Sequence, residues 1–355
     1  MKDIQLRHDF EEAFAGNRSW IEELDGSSIF VTGATGLIGS IIGRAILYYN
    51  KHFSGNIKLI CCIRNIEKAK KIYNEYLGMD NFEFCVCNID NGINYTGKVD
   101  YIVHCANTTS SQAYVNEPVE TIITIVDGTR NMLEFAREKN VKKFVYMSSM
   151  ESYGAPFDIS KKTVETDSGY LNPMCVRSSY SEGKRLAECL CASYYSEYGV
   201  KTVVARSAQV FGAGVNINDK RVFMQLAFAV INKTNFVMHS DGSSYGNYCY
   251  TTDALKAIMV LLYKGECGQA YNIVNEENTM TIRQMAEMVS SEISENGFKI
   301  IYDIPESELL YGYGQKVIMK LSSEKLNKLG WNATVPLKDM YRKLIEYLEA
   351  NEERD

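Results

Sequence analysis

The sequence predicts an α/β protein, a doubly wound parallel sheet followed by a smaller C-terminal lobe. Short apolar runs rich in β-branched residues alternate with longer stretches that carry apolar residues at helical spacing. The runs are apolar almost throughout, as strands covered on both faces must be. Past Arg206 the alternation stops, and loops rich in Gly and Asn take over.

Residues 1–26 are charged, with Phe10, Phe14, Trp20, Ile21 and Leu24 at helical spacing. They read as a helical extension packed on the fold, not as a signal peptide. Strands are expected at Ile29–Thr32, Ile57–Ile63, Phe82–Cys87, Tyr101–His104, Lys143–Met147 and Thr202–Ala205. Helices are expected between them at Leu37–Tyr49, Ile66–Leu77, Pro118–Lys139 and Tyr180–Tyr198. Residues 27–206 thus form the sheet domain, which also receives 247–275 with a further strand at Ala270–Val274. Residues 207–355 mainly form the second lobe, with loops at Gly212–Asn218 and Ser240–Asn247 and helices at Ile282–Ile293 and Leu337–Leu348. Open α/β sheets bind ligands at the carboxyl ends of their strands, so this lobe is expected to hold substrate there.

Composition excludes several classes. With 46% hydrophobic and 23% charged residues, the chain suits a globular core. A net charge of -6 and no long run of Lys or Arg give no footprint for nucleic acid. No apolar stretch approaches membrane-spanning length. The ten cysteines fall largely in apolar runs (Cys61, Cys62, Cys85, Cys87, Cys105, Cys189, Cys191) without metal-ligand spacing, and no metal is expected. Reduced buried thiols point to the cytoplasm.

The segment Ile29 to Gly39 is a strand, a glycine-rich turn (Gly33, Ala34, Thr35, Gly36) and a helix start (Leu37, Ile38, Gly39). Gly33 allows the tight exit from the strand, Gly36 lets backbone N–H groups approach a pyrophosphate, and Gly39 allows close helix–sheet packing. The helix N-terminus then favours the anion. The sheet is therefore expected to be Rossmann-like and to bind a nicotinamide dinucleotide. At the end of the second strand an acidic residue would suit the ribose hydroxyl of NAD. Arg64 stands there instead, which favours NADP over NAD while leaving both open.

The fifth strand ends in Ser148-Ser149-Met150-Glu151, and Tyr180 and Lys184 stand four apart on one helical face. An ammonium beside a phenol favours phenolate, and a serine hydroxyl can donate to the same substrate oxygen. Such a group moves a proton on or off an alcohol as hydride leaves or returns.

Together, Thr32-Gly33-x-x-Gly36-x-x-Gly39, His104-Cys105-Ala106, Gly128-Thr129, Ser148-Ser149-x-x-x-Tyr153-Gly154 and Tyr180-x-x-x-Lys184 resemble the extended short-chain dehydrogenase/reductases, closest to the nucleotide-sugar epimerase/dehydratase branch. Phe211-Gly212, Tyr250-x-x-Asp253, Tyr271-Asn272-Ile273 and Leu329-Gly330-Trp331 extend the likeness over almost the whole chain after Ser27. The resemblance implies that Ser149, Tyr180 and Lys184 are catalytic and that Lys184 also holds the nicotinamide ribose. It implies further that Cys105, Ala106 and Asn107 line the cofactor and that Asn88 and Ile89 lie near the adenine. Glu151 falls where the family's sugar dehydratases and decarboxylases carry a glutamate; it reads as a second base beside a transient ketone, or as a structural partner of an arginine such as Arg177.

Three departures stand out. Met150 replaces the aspartic acid of hexose 4,6-dehydratases, which favours epimerisation or decarboxylation. Ile125 replaces the usual asparagine before Gly128-Thr129. Gly246 falls where an arginine usually grips the substrate diphosphate, leaving Arg206 or Arg221 to supply that charge. Thr108, Thr109 and Ser110 are candidate sugar ligands. The expected partner is a nucleotide-activated sugar, and the helices Pro118–Lys139 and Tyr180–Tyr198 resemble the pair through which family members form homodimers. The rival readings are an NADPH-dependent ketone or aldehyde reductase and a non-catalytic cofactor-binding sensor.

Overall fold

The computed structural model describes residues 4–107, 111–304 and 318–352. After the helices α1 (Ile4–Ala15) and α2 (Ser19–Glu22) come β1 (Ser28–Thr32), α3 (Leu37–His52), β2 (Lys58–Ile63), α4 (Ile66–Ile72), β3 (Phe82–Val86) and β4 (Tyr101–His104). Next are α5 (Ala113–Asn116), α6 (Pro118–Lys139), β5 (Lys143–Ser149), α7 (Ser178–Tyr198), β6 (Thr202–Ser207) and β7 (Gln209–Phe211). The chain continues through α8 (Val222–Ile231), β8 (Phe236–Met238), β9 (Tyr245–Tyr250), α9 (Thr251–Lys264) and β10 (Gln269–Ile273). It closes with β11 (Asn275–Thr281), α10 (Ile282–Met288), β12 (Ile300–Tyr302), α11 (Glu324–Asn327) and α12 (Leu337–Glu352).

Seven strands form one parallel sheet in the order β10-β6-β5-β4-β1-β2-β3. The order reverses between β1 and β4, the switch point at which such sheets open a crevice for ligands. Alternation along each strand explains the two helical layers. Ile29, Val31, Leu59, Val103, Val145 and Val203 bury against Ile42, Ile46, Leu255 and Ile258 of α3 and α9. Phe30, Ile60, Ile102, Phe144 and Tyr146 bury on the opposite face against Met132, Leu133 and Ala187 of α6 and α7. Each such fully buried side chain contributes about 2 kcal/mol.

The C-terminal lobe has its own core, where Phe211, Phe223, Met224, Leu226, Tyr248, Met340 and Tyr341 meet. Two small sheets, β11-β9-β7 and β12-β8, frame it. The N-terminal helix ties the two regions together. Asp9, its side chain fully buried, accepts from Tyr250 (2.5 Å) and from Lys343 of α12 (2.9 Å).

Several elements differ from the sequence expectation for local reasons. The stretch Ile66–Leu77 breaks after α4 into a tight turn at Asn74–Tyr76, because Tyr73 turns inward to donate to the Ala34 carbonyl (2.8 Å). Strand β9 begins at Tyr245, inside the span expected as a loop. Its buried Asn247 is satisfied by the Met319 carbonyl and the Leu321 N–H (2.9 and 3.0 Å). The stretch Ile282–Ile293 leaves the α-helix at Met288 and widens into a π turn. Among the described residues no helix is long and apolar enough to cross a membrane.

Candidate active site

The glycine-rich turn is built as its chemistry requires. Gly33 has φ +62°, and a Cβ there would sit 2.9 Å from the backbone of Ala106 on the neighbouring crossover. Gly39 lies over the Gly33 carbonyl, so any side chain would push α3 off the turn. Gly36 caps α3 in an extended conformation, which leaves the N–H groups of Leu37 and Ile38 outside the helix's own bonding.

Beside the turn, Thr32 Oγ1 accepts from the N–H groups of Cys105 and Ala106 (3.0 Å each). Its own proton therefore goes to His104 Nδ1 (2.8 Å), leaving Nε2–H to meet Thr129 Oγ1 (3.3 Å), which itself donates to the Ile125 carbonyl (2.6 Å). His104 is thus a fully buried neutral imidazole; burial, with the charge of Lys184, pushes its pKa down to about 3. This chain of bonds locks the end of β4 to β1 and α6. Asn107, next along, keeps a buried Oδ1 without a hydrogen-bond partner among the described residues. A cradle closed to any Cβ, free N–H groups at a helix start and an orphan acceptor fit a dinucleotide.

Asn88 and Ile89 lie on the crossover after β3. Asn88 accepts from the Asp90 N–H, while Asn131 of α6 donates to the carbonyls of Ile89 and Asp90 (2.9 and 3.0 Å). Arg64 is exposed directly after β2, and Asn65 beside it caps α4 through the Lys68 N–H (2.9 Å).

The structure brings Ser149, Tyr180 and Lys184 together at the carboxyl end of β5. Lys184 is buried at 2% exposure and donates to the Met147 carbonyl (2.6 Å). Its ammonium lies 4.7 Å from the Tyr146 ring centre and 5.7 Å from that of Tyr180. Burial lowers its pKa to about 7, with Glu188 opposing. Burial raises the Tyr180 phenol to about 12, and the Glu151 charge adds to this; hydrogen bonds with Ser149 and Tyr114 pull it back. Tyr114 stacks on Tyr180, ring centres 4.3 Å apart.

Glu151 is the partner of Arg177. The guanidinium donates to both carboxylate oxygens (2.9 and 3.2 Å), and Ser181 adds a third bond (3.2 Å). Of the two roles the sequence left open, the arginine partnership is therefore present, on a carboxylate that is still about one-third exposed. Arg206 is committed to Glu188 of α7, with bonds of 2.7 to 3.1 Å, and to the Glu165 carbonyl (2.9 Å). Arg221 is held by Asp219 (2.6 Å) near Tyr248. The Tyr248 ring lies against Gly246 and fills the space where a Cβ there would stand. Ile125 packs against Gly183 of α7 and so fills the asparagine position with apolar surface. Thr108, Thr109 and Ser110 lie outside the described residues.

Sequence reasoning missed Tyr114, Ser181 and Glu188. Ser181 and Glu188 carried a usable signal, sharing α7 with Tyr180 and Lys184; Tyr114 carried none among 24 tyrosines.

A family model described as the NAD dependent epimerase/dehydratase family matches residues 29–274. The chain belongs to that family. UDP-glucuronic acid decarboxylase 1 of Danio rerio is 27% identical over 335 residues, covering 92% of this chain and 74% of the relative. Human dTDP-D-glucose 4,6-dehydratase is 26% identical, covering 91% and 90%. Among solved structures, UDP-glucuronic acid 4-epimerase of Bacillus cereus, in complex with UDP-glucuronic acid and NAD, aligns with a TM-score of 0.73 at 19% identity, covering 91% of this chain and 99% of that one. dTDP-glucose 4,6-dehydratase of Bacillus anthracis, in complex with NAD, also gives 0.73, at 21% identity over 92% and 98%. At these identities the structures speak for the Rossmann fold.

Proposed function

We propose that this family member remodels the sugar of a nucleotide sugar through a transient keto-sugar, by epimerisation or decarboxylation. The observation that carries the reading is the meeting of Ser149 and Tyr180 over the buried Lys184, beside a turn that fits a dinucleotide. Bound NAD(P) would supply the hydride acceptor and donor. Gly33, Thr35, Gly36, Leu37, Ile38 and Gly39 would hold its pyrophosphate, with Asn88, Ile89, Cys105, Ala106 and Asn107 along the rest. Arg64, exposed where an acidic residue would select NAD, supports NADP.

Tyr180 takes the proton of the sugar hydroxyl and later returns it, while Ser149 donates to the same oxygen. Lys184 supplies positive charge that favours the phenolate. Glu151, gripped by Arg177 two residues after Ser149, would be the second acid–base group, acting at the carbon beside the ketone. Met150 is buried and offers no acidic proton, which counts against elimination of a hydroxyl through that position. Arg221, close to Tyr248, is better placed than Arg206 to meet a diphosphate. Ten free thiols support a reducing, cytoplasmic setting, and the exposed Ile122, Ile123 and Leu186 of α6 and α7 support a homodimer.

The test is a panel of UDP-, CDP-, GDP- and dTDP-sugars incubated in deuterated water and followed by NMR. A product epimerised or decarboxylated without net cofactor consumption is expected. Turnover of simple ketones with NADPH, and of no sugar, would overturn the proposal. Deuterium at the carbon beside the ketone would support Glu151 as base; epimerisation without exchange would remove that role.

A further inference from the structure

Tyr114 lies on the short helix α5, after the crossover from β4, and is 4% exposed. Its ring stacks on that of Tyr180 with centres 4.3 Å apart and planes 14° from parallel. The Arg177 guanidinium lies 4.7 Å from the centre of the Tyr114 ring, and Arg177 grips Glu151. Ser179, one residue before Tyr180, donates to the Tyr114 backbone carbonyl (3.0 Å) and so pins α5 to the start of α7. The Tyr114 phenol acts on the stacked Tyr180 phenol and helps to pull its pKa back down.

Ser149 Oγ accepts from the Glu151 N–H (3.2 Å), so its proton is available to the Tyr180 oxygen. Tyr114 sets a second phenol, able to donate, beside that oxygen. A phenolate on Tyr180 would thus find two donors already in place, in a site where hydrogen bonds to charge are strong. The titratable groups facing Tyr180 are Glu151 after β5, Tyr146 on β5, Tyr114 on α5, and Arg177 and Lys184 on α7.

We propose that Tyr114 is a positioning residue for Tyr180: it fixes the ring by stacking, donates to the phenol oxygen, and joins it to the Glu151–Arg177 pair. This rests on the reading of Tyr180 as the acid–base group. A purely structural role needs the ring alone, because phenylalanine would stack as well. The hydroxyl is what separates the two.

The experiment uses NAD(P)-loaded enzyme labelled with 13C at the tyrosine ring carbon bearing oxygen, the Tyr180 signal being assigned by its loss in Tyr180→Phe. Tyr114→Phe is expected to raise the Tyr180 titration midpoint by about one to two pH units. Incorporation of 3-fluorotyrosine at 114, a more acidic donor, is expected to lower it. With the sugar identified by the panel, kcat of Tyr114→Phe near neutral pH should fall roughly tenfold, with KM nearly unchanged. A midpoint unmoved by both replacements overturns the role of Tyr114, even where Tyr180→Phe is inactive. An active Tyr180→Phe overturns the acid–base reading itself.

Discussion

Replacing Lys184 by methionine should stabilise the protein while abolishing its activity. The ammonium is 2% exposed and donates to the Met147 carbonyl. Its pKa is lowered from 10.5 to about 7, mainly by burial. At pH 6.5 both folded and unfolded chains carry the charge, and the folded state bears the cost of burying it. That cost is on the order of 4–5 kcal/mol, from 1.36 kcal/mol per pH unit. Methionine fills similar volume without charge, but leaves the carbonyl unpaired, at about 1–3 kcal/mol. The net gain is about 1–4 kcal/mol at pH 6.5.

The gain must disappear as pH rises. Between about 7 and 10.5 the unfolded chain still binds the proton that the folded one has released, so wild-type stability climbs with pH. The variant lacks this climb, and its advantage falls by about 1.4 kcal/mol per pH unit. Urea unfolding of nucleotide-free wild type and Lys184→Met at pH 6.5 and 9.5 measures both terms. A variant less stable at pH 6.5, or a difference independent of pH, would refute the reasoning.

Arg64→Glu should weaken NADP relative to NAD by about tenfold or more in fluorescence titrations, since it sets like charge against the ribose phosphate. Asp9→Ala leaves the Tyr250 hydroxyl and the Gln5 amide without their acceptor, while Lys343 keeps Glu12, and should cost about 1–3 kcal/mol in urea unfolding. Asp100 is bonded to the Ser28 N–H and hydroxyl and paired with Lys98 and Lys142. Burial pushes its pKa up, but these partners outweigh it and bring the value down to about 2. Its stabilisation is present above pH 4 and lost as pH falls through 2. Asp100→Asn should therefore cost about 2 kcal/mol at neutral pH and flatten the acid limb of the stability curve.

Local chemistry was legible in the sequence where one segment imposes it. The β1 turn could be read because Gly33 and Gly39 answer demands made within eleven residues of chain. Lys184 and Tyr180 could be read because four residues on a helix share a face. The Glu151–Arg177 pair was legible as one of two options, since Arg177 stands one turn before Tyr180. Pairings made across the fold were not. Tyr114 reaches Tyr180 from a four-residue helix with no pattern of its own. The commitment of Arg206 to Glu188 depends on β6 lying under α7, and the Tyr248 ring lies against Gly246 only once β9 is folded. Both facts become visible only once the strands are placed.

The central claim is that a sugar is oxidised and reduced again within one site around Tyr180. The most direct measurement is rapid-mixing absorbance of the reduced nicotinamide during turnover of the sugar found by the panel. The reading predicts a signal that rises and decays within each turnover, without net consumption of cofactor, and that vanishes in Tyr180→Phe. Stoichiometric consumption of reduced cofactor, or an unchanged transient in Tyr180→Phe, would contradict it.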